Sequence, residues 1–401
     1  MGEENQNFTD ASELLPECEK IQGLVEFHRI YGTIHIYLML IWCPIGIISN
    51  ILNIIVLNQK RMRTSTNLLL TCLAVSDAVL MSLYVIFISY FVIGSKMRSC
   101  PHPMAVYLLV YVNLQNMLHI FSCGIIITVA VFRLLYARCI LKCQQLCSIK
   151  RAKIAVIMVL LTSCFLTIPY MISHQVESAS SDLGPGDYEL RVVQDRNLTQ
   201  MYTINYVDNI MLRTLVYWST AIFVKLVPCV SMITLSSLLV MSIHQRAKLH
   251  RQSLEKKKKK GILNGKEGPA TENTNLAAIK IENECSGVVG SAIERAKHID
   301  RAKERSHSRA THTMLAIMFI YIVTYLPQAI LLLVSGFSGY CFSETVYDPL
   351  GDFMDLLTLL SCGLNFALYC LTSQQFRTTF LQLFCPTKSW RKNFRSRLTS
   401  W

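Results

Sequence analysis

Long apolar stretches alternate with short polar ones along this chain. Seven apolar runs stand out, near residues 34–57, 68–93, 104–135, 154–174, 212–243, 312–336 and 349–371. As helices, each is long enough to cross a hydrocarbon core of about 30 Å. The last run shows the pattern most fully. Asp348 and Pro349 read as a helix start, because an Asp side chain can cap free amides and Pro fits the first turn. Asp348, Asp352 and Asp355 recur at i, i+4 and i+7, which puts three carboxylates on one helical face. Apolar residues then lead to Asn365-Phe366-Ala367-Leu368-Tyr369. A short amphipathic segment follows, with Phe376, Phe380, Leu383 and Phe384 apolar and Arg377 polar, closed by Cys385. The expected fold is an all-α membrane protein with seven transmembrane helices plus a short amphipathic surface helix.

Composition agrees with that class. Hydrophobic residues make up 52% of the 401 and charged residues 16%, against about 25% charged in soluble domains. The first 30 residues are polar, so no cleaved leader is expected. Charge sets the orientation. With the N-terminus outside, 31 of the 39 Lys and Arg residues fall in cytosolic pieces and 17 of the 26 Asp and Glu residues fall outside. The basic asymmetry points to a multi-pass plasma-membrane protein with an extracellular N-terminus. The predicted units are an outer tail over 1–33, a seven-helix domain over 34–371 containing a long cytoplasmic loop at 244–311, and a surface helix with tail over 372–401. The N-glycosylation sequons at Asn7 and Asn197 both fall outside in this arrangement.

Few polar residues lie within the spans. Asp77 is an intramembrane carboxylate, costly unless paired, solvated or bound to a cation, and a neutral hydrogen-bonded Asp is the plainer alternative. Lys225 in the fifth span reads best as pairing with a neighbouring polar group; the seventh span has no Lys where a retinal-binding protein needs one. Pro228 and Pro327 each remove a backbone hydrogen bond deep in a span and allow a kink. Ser122 precedes Arg133 by eleven residues, about three turns.

The set Asn50, Leu73-Ala74-Val75-Ser76-Asp77, Arg133, Pro228, Pro327 and Asn365 to Tyr369 resembles the rhodopsin-like (class A) G-protein-coupled receptors across the whole membrane portion. FVKLVPC, YLPQAIL and YDPLGDFMDLL…NFALYC…QQFRTTF are most similar to invertebrate myosuppressin and FMRFamide-type neuropeptide receptors, and nematode chemosensory receptors share parts of the set. The resemblance implies that Arg133 and Tyr369, with Pro228, Pro327 and Asn365, form the activation switch. Outward movement of the sixth helix would open a cleft for a heterotrimeric G protein, with arrestin and receptor kinases as further partners. Asp77, Ser122 and Asn365 match positions that hold a sodium ion in relatives, and they suit a water-filled network equally well. No cofactor is required.

Three departures from the family pattern stand out. Phe132 replaces the usual acid before Arg133, which removes a restraint and implies raised ligand-free signalling. Phe366 replaces the usual Pro after Asn365, and Tyr325 replaces the usual Trp. The usual outer disulfide is also missing, because residues 174–213 contain no cysteine and Cys100 lies too far from Arg133. The outer cysteines Cys18, Cys100 and Cys341 leave one pair and one thiol, and arithmetic does not choose among the pairings. Cys18–Cys341 is the working assignment.

The acidic outer surface favours a cationic ligand. A carboxylate at Asp355, Asp352 or Asp348 can meet an Arg guanidinium bidentately, and the resemblance implies an amidated peptide ending in Arg-Phe. Tyr217, Tyr325 and Leu332 are the apolar lining expected around it, with Gln115, Asn116, His119 and Gln328 as polar contacts. Against this stands helix N-terminal stabilisation, which accounts for Asp348 well and Asp355 poorly, and packing, which accounts for His119.

Lys256 to Lys260 suit anionic lipid, the G protein or simple solvation, and not nucleic acid. Cys385 is a palmitoylation candidate, and Cys139, Cys143 and Cys147 read as thiols or lipidation sites, without His ligands for a metal. A peptide receptor ranks first and a chemosensory seven-helix receptor for a small molecule second. A transporter would show internal repeats or several deep charges, and no catalytic constellation supports an enzyme.

Overall fold

The computed structural model describes residues 18–93, 100–138, 146–178, 201–207, 209–264, 311–338 and 340–384. Seven helices are long and apolar enough to cross a membrane. These are α1 (Gln22–Leu57), α2 (Ser65–Phe87, continued by a π turn Ile88–Val92), α3 (His102–Arg138) and α4 (Ile149–Ile172). α5 comprises Ile210–Ser219, a π-helical stretch Thr220–Leu226 and Val227–Asn264. α6 is Thr311–Ser338, α7 is Gly351–Thr372, and the short α8 is Gln374–Phe384.

Local chemistry sets several starts. The side chain of Thr64 accepts from the Asn67 amide, Ser148 from Arg151 and Asn209 from Leu212, each satisfying a donor that the first turn leaves free. α7 and α8 are separated by Ser373, whose backbone is extended and whose hydroxyl accepts from the Phe376 amide.

One end of the bundle carries a three-stranded antiparallel sheet, β1 (Cys100–Pro101), β2 (His174–Ser178) and β3 (Met201–Tyr206), in the order β1-β3-β2. Its register pairs Cys100 with Tyr202 and Val176 with Ile204. The core divides in two. Near the sheet, Met39, Met81, Tyr84, Phe91, Tyr111 and Leu359 pack together. Towards α8, the cluster includes Leu69, Ile125, Met232, Met318, Tyr369 and Phe376. Asp77 sits at the junction, between Leu73 of one cluster and Leu80 of the other. α4 is peripheral and turns Ile157, Leu161 and Phe165 outward, as a lipid-facing helix requires.

α8 is fastened from both sides. Phe376 is fully buried, with its ring 5.9 Å from Phe366 and 5.3 Å from Tyr369. Arg377 donates to the carbonyls of Cys370 and Leu371, where α7 leaves acceptors unpaired, and Arg61 donates to Gln382.

Some expected boundaries shift. The first helix starts at Gln22, inside the stretch read as tail, and its 36 residues span about 54 Å, well over a hydrocarbon core. The fifth helix continues to Asn264. The start expected at Asp348–Pro349 is corrected. A π turn Ser343–Tyr347 already precedes it, Asp348–Leu350 is a 3-10 turn, and no side chain caps either the turn or α7. Each 3-10 residue turns about 120° where an α-helical residue turns about 100°, so Asp348 is set apart, while Asp352 and Asp355, three residues apart in α7, stay within electrostatic reach of each other and of Tyr31. Asp348 is exposed and within electrostatic reach of Tyr217 on α5. Asp352 lies 3.8 Å from His28 of α1. Asp355 is half-buried within electrostatic reach of Lys225.

Candidate ligand-binding site and signalling switch

A polar cluster joins α3, α5, α6 and α7 beneath the sheet. Lys225 Nζ lies 2.7 Å from Gln328 Oε1 and 3.1 Å from His119 Nε2. Gln328 Nε2 donates onward to Thr358 Oγ1 at 2.8 Å and to the Met354 carbonyl at 2.9 Å. The His119 ring stacks on Tyr325 with centroids 4.6 Å apart, and Lys225 Nζ lies 5.5 Å from the Tyr325 centroid.

The backbone explains why Lys225 points inward. Pro228 has no N–H to give to the carbonyl of Val224, and the turn ahead of it is π-helical. That widened turn carries Lys225 to the interior while Phe223 and Val227 stay on the outer surface.

Lys225 was not among the ligand contacts expected from sequence. Its signal was the lone Lys in an apolar span. Also missed was an aromatic wall on α1, α2 and α3. His35 Nε2 meets the Tyr84 hydroxyl at 2.8 Å, Tyr31 lies beside His35, and Phe87 stacks on Tyr111 at 4.8 Å. Asp355 is within electrostatic reach of Tyr84 and Tyr111, so the carboxylate faces both this wall and Lys225.

The other expected contacts are spread around this centre. His119, Tyr325 and Gln328 belong to the cluster itself. Asn116, half-buried one turn from His119 on the same face, has a buried Nδ2 without a partner. Gln115 is half-buried next to it in sequence. Tyr217 donates its hydroxyl to the Leu332 carbonyl at 2.5 Å, so these two residues tie α5 to α6.

A second polar layer lies one level deeper. Asp77 Oδ1 accepts from Ser122 at 3.3 Å and Oδ2 accepts from Asn365 Nδ2 at 2.8 Å. Ser122 also meets Ser76 at 2.8 Å, and Asn365 Oδ1 is buried without a partner. Among the described residues, the ion pairs are His28–Asp352 and Arg29–Glu26, and neither involves Asp77. A buried carboxylate without a cationic side chain, a hydroxyl and an orphaned amide oxygen make a donor set that fits a hard cation. Asp77, Ser122 and Asn365 are the residues that would hold it.

The α8 end contains a cavity of about 180 Å³ lined by Arg133, Tyr136, Tyr369, Asn67 and Phe376, among others. The Arg133 Nε and the Tyr369 hydroxyl are both buried there without partners. Phe132, in the position usually held by an acid, is buried in the apolar cluster and is 8% exposed. Pro327 lies within α6, one residue before Gln328. Cys18 and Cys341 are disulfide-bonded, which ties the approach to α1 to the segment between α6 and α7. Cys100 places its Sγ 3.6 Å from the Tyr202 carbonyl. Asn7, Asn197, Cys139, Cys143 and Cys385 lie outside the described residues.

Residues 37–267, more than half of the chain, match the family model described as serpentine type 7TM GPCR chemoreceptor Srw. The chain belongs to that family. Members are seven-helix receptors, which agrees with the seven long apolar helices. The receptor is 27% identical to the G-protein coupled receptor dmsr-1 of Caenorhabditis elegans over 378 residues, 91% of this chain and 70% of that one. It is 21% identical to the sex peptide receptor of Drosophila melanogaster over 88% of this chain and 72% of that protein. Sex peptide receptor-related protein 2 of Caenorhabditis elegans is 33% identical over 105 residues, 24% of this receptor and 23% of that protein.

Proposed function

We propose that this receptor binds a cationic, C-terminally amidated peptide of the Arg-Phe type at the sheet-bearing end, and that this end lies outside the cell. The observation that carries the reading is Asp355, a half-buried carboxylate with no ion-pair partner among the described residues, facing an aromatic wall. A guanidinium there would gain a charge-assisted bidentate pair and aromatic faces together. The charge asymmetry of the loops supports the orientation, and a relative named for a peptide supports the ligand class.

Binding at this level touches α3, α5, α6 and α7 at once. A ligand that binds better when α6 has moved outward shifts the population towards that state and opens the Arg133 cavity to a heterotrimeric G protein. Receptor kinases and arrestin would meet the same face afterwards, and membrane lipids surround the spans.

The test is a screen of amidated peptides on receptor-expressing cells, read as G-protein activation. Arg-Phe-amide peptides should activate. Asp355→Asn should lower their potency about tenfold or more, as loss of one partner of a buried charge-assisted bond does. Asp352→Asn, at a half-exposed site paired with His28, should cost only a few-fold. Unchanged potency in Asp355→Asn removes the pairing.

The family's chemoreceptor description favours a second reading, a small-molecule ligand at the same cluster. It predicts activation by small odorant-like compounds and silence to every arginine-bearing peptide.

A further inference from the structure

Lys225 is a cation without a counter-ion. Its two partners, His119 and Gln328, offer one ring nitrogen and one amide oxygen, and no carboxylate lies within ion-pair distance among the described residues. An ammonium has three N–H donors, so one remains for another acceptor. Asn116 Nδ2, a turn away from His119 on α3, is a second donor with nothing to meet. Two unsatisfied donors near one level of the bundle are costly unless something that accepts hydrogen bonds arrives there. Asp355 lies within electrostatic reach of Lys225 but does not pair with it, so the two opposite charges remain available to two different groups.

We propose that Lys225, assisted by Asn116, is the subsite for the acceptor end of the ligand. Resting on the peptide reading above, its ammonium donates to the terminal carbonyl oxygen of a peptide whose guanidinium is held by Asp355. The site then reads a peptide end with two charges of opposite sign, a carboxylate for the Arg side chain and an ammonium for the chain terminus. The ligand's oxygen would share the ammonium with Gln328, whose carbonyl oxygen is the closer of its two partners and which directly follows Pro327 in α6. Recognition of the terminus is thereby coupled to the helix that has to move.

The test pairs a change in the receptor with a change in the ligand. The probes are a synthetic hexapeptide ending in Arg-Phe-amide and its analogue ending in Arg-phenethylamide, which keeps the guanidinium and the ring and lacks the terminal carboxamide. Potency is read as G-protein activation at matched surface expression in wild type, Lys225→Met and Lys225→Arg. Removing the carboxamide should cost the wild type roughly tenfold to a hundredfold, as expected for hydrogen bonds to a charged group. In Lys225→Met the two probes should agree within about twofold. Lys225→Arg should restore most of the discrimination.

An equal loss in wild type and Lys225→Met overturns the proposal, because a residue that only ties helices together weakens both probes alike. Should Lys225→Met fail to reach the surface, Lys225→Gln runs through the same cycle. A wild type silent to every Arg-Phe-amide peptide removes the peptide reading and this inference together. A responsive wild type with an additive cycle removes this inference alone.

Discussion

The indole nitrogen of Trp42 on α1 donates to the Leu359 carbonyl on α7 at 3.0 Å. That bond holds the ring against Gly363, one turn further along α7. A β-carbon at Gly363 would come within 2.7 Å of Trp42 Cζ2 and 2.9 Å of Cε2. Ser49 and Asn50 extend the seam by donating to the carbonyls of Gly363 and Cys362. In this way α1 is fastened to α7 along the face on which His28 also meets Asp352.

Gly363→Ala should therefore destabilise the receptor. The ring cannot move aside without losing its hydrogen bond, and overpacking of this kind costs about 1–3 kcal/mol, offset in part by about 1 kcal/mol of helix propensity. Gly46→Ala serves as the comparison. Its β-carbon would meet Met81 Cε and Sδ, the free end of a flexible side chain, at 2.2 and 2.4 Å. Thermal midpoints of the purified proteins should fall further for Gly363→Ala than for Gly46→Ala. The reverse order would mean that the indole is not fixed.

The Cys18–Cys341 bond closes the same end of the molecule. It anchors the segment entering α1 to the segment leading into α7, and His28 lies opposite Asp352 just past that anchor. Cys18→Ser, Cys341→Ser and the double variant should lower the thermal midpoint by the same amount, since each breaks one bond. Non-reducing mass spectrometry of the wild type should recover the two cysteines in one linked peptide. Additive losses would mean that the two side chains act separately.

Much of this architecture could be read from hydropathy. Seven apolar runs become seven long helices, and the Phe376, Phe380 stripe becomes the buried side of α8. The phase of the helices was harder to read. A π turn ahead of Pro228 and a 3-10 turn at Asp348–Leu350 rotate the helical residues beyond them, and such turns depend on tertiary packing that a period-3.6 pattern does not encode. For that reason Asp348 parts from Asp352 and Asp355, which stay together, and Lys225 comes to face His119. The extension of α1 back to Gln22 was hidden for a different reason. Outside the hydrocarbon a helix needs no continuous apolar run, so the polar stretch around Glu26 and Arg29 looked like tail.

At the opposite end, the Tyr369 hydroxyl is buried without a partner beside Arg133. An unsatisfied buried hydroxyl costs stability in this conformation, and a partner gained in the open state would account for it. Tyr369→Phe should leave the thermal midpoint of the ligand-free receptor unchanged or slightly higher. The same variant should reduce maximal G-protein activation several-fold at matched surface expression. A full response from Tyr369→Phe would mean that the hydroxyl has no part in the open state.

The Asp77 layer yields the last expectation. Asp77, Ser122 and Asn365 belong to α2, α3 and α7, so a sodium ion held among them would bind best when those helices are close. An ion that prefers this close arrangement of α2, α3 and α7 opposes activation wherever opening the α8 end loosens it. Replacing sodium with N-methyl-D-glucamine should raise agonist affinity in wild-type membranes by roughly five- to tenfold, within the usual range for coupling between sites. Asp77→Asn removes the carboxylate while keeping a polar group of the same shape, so the receptor should fold and its agonist affinity should no longer depend on sodium. Agonist affinity in the wild type that is indifferent to sodium would assign the layer to water alone. The hydrogen bonds from Ser122 and Asn365 would then be sufficient to keep Asp77 in place.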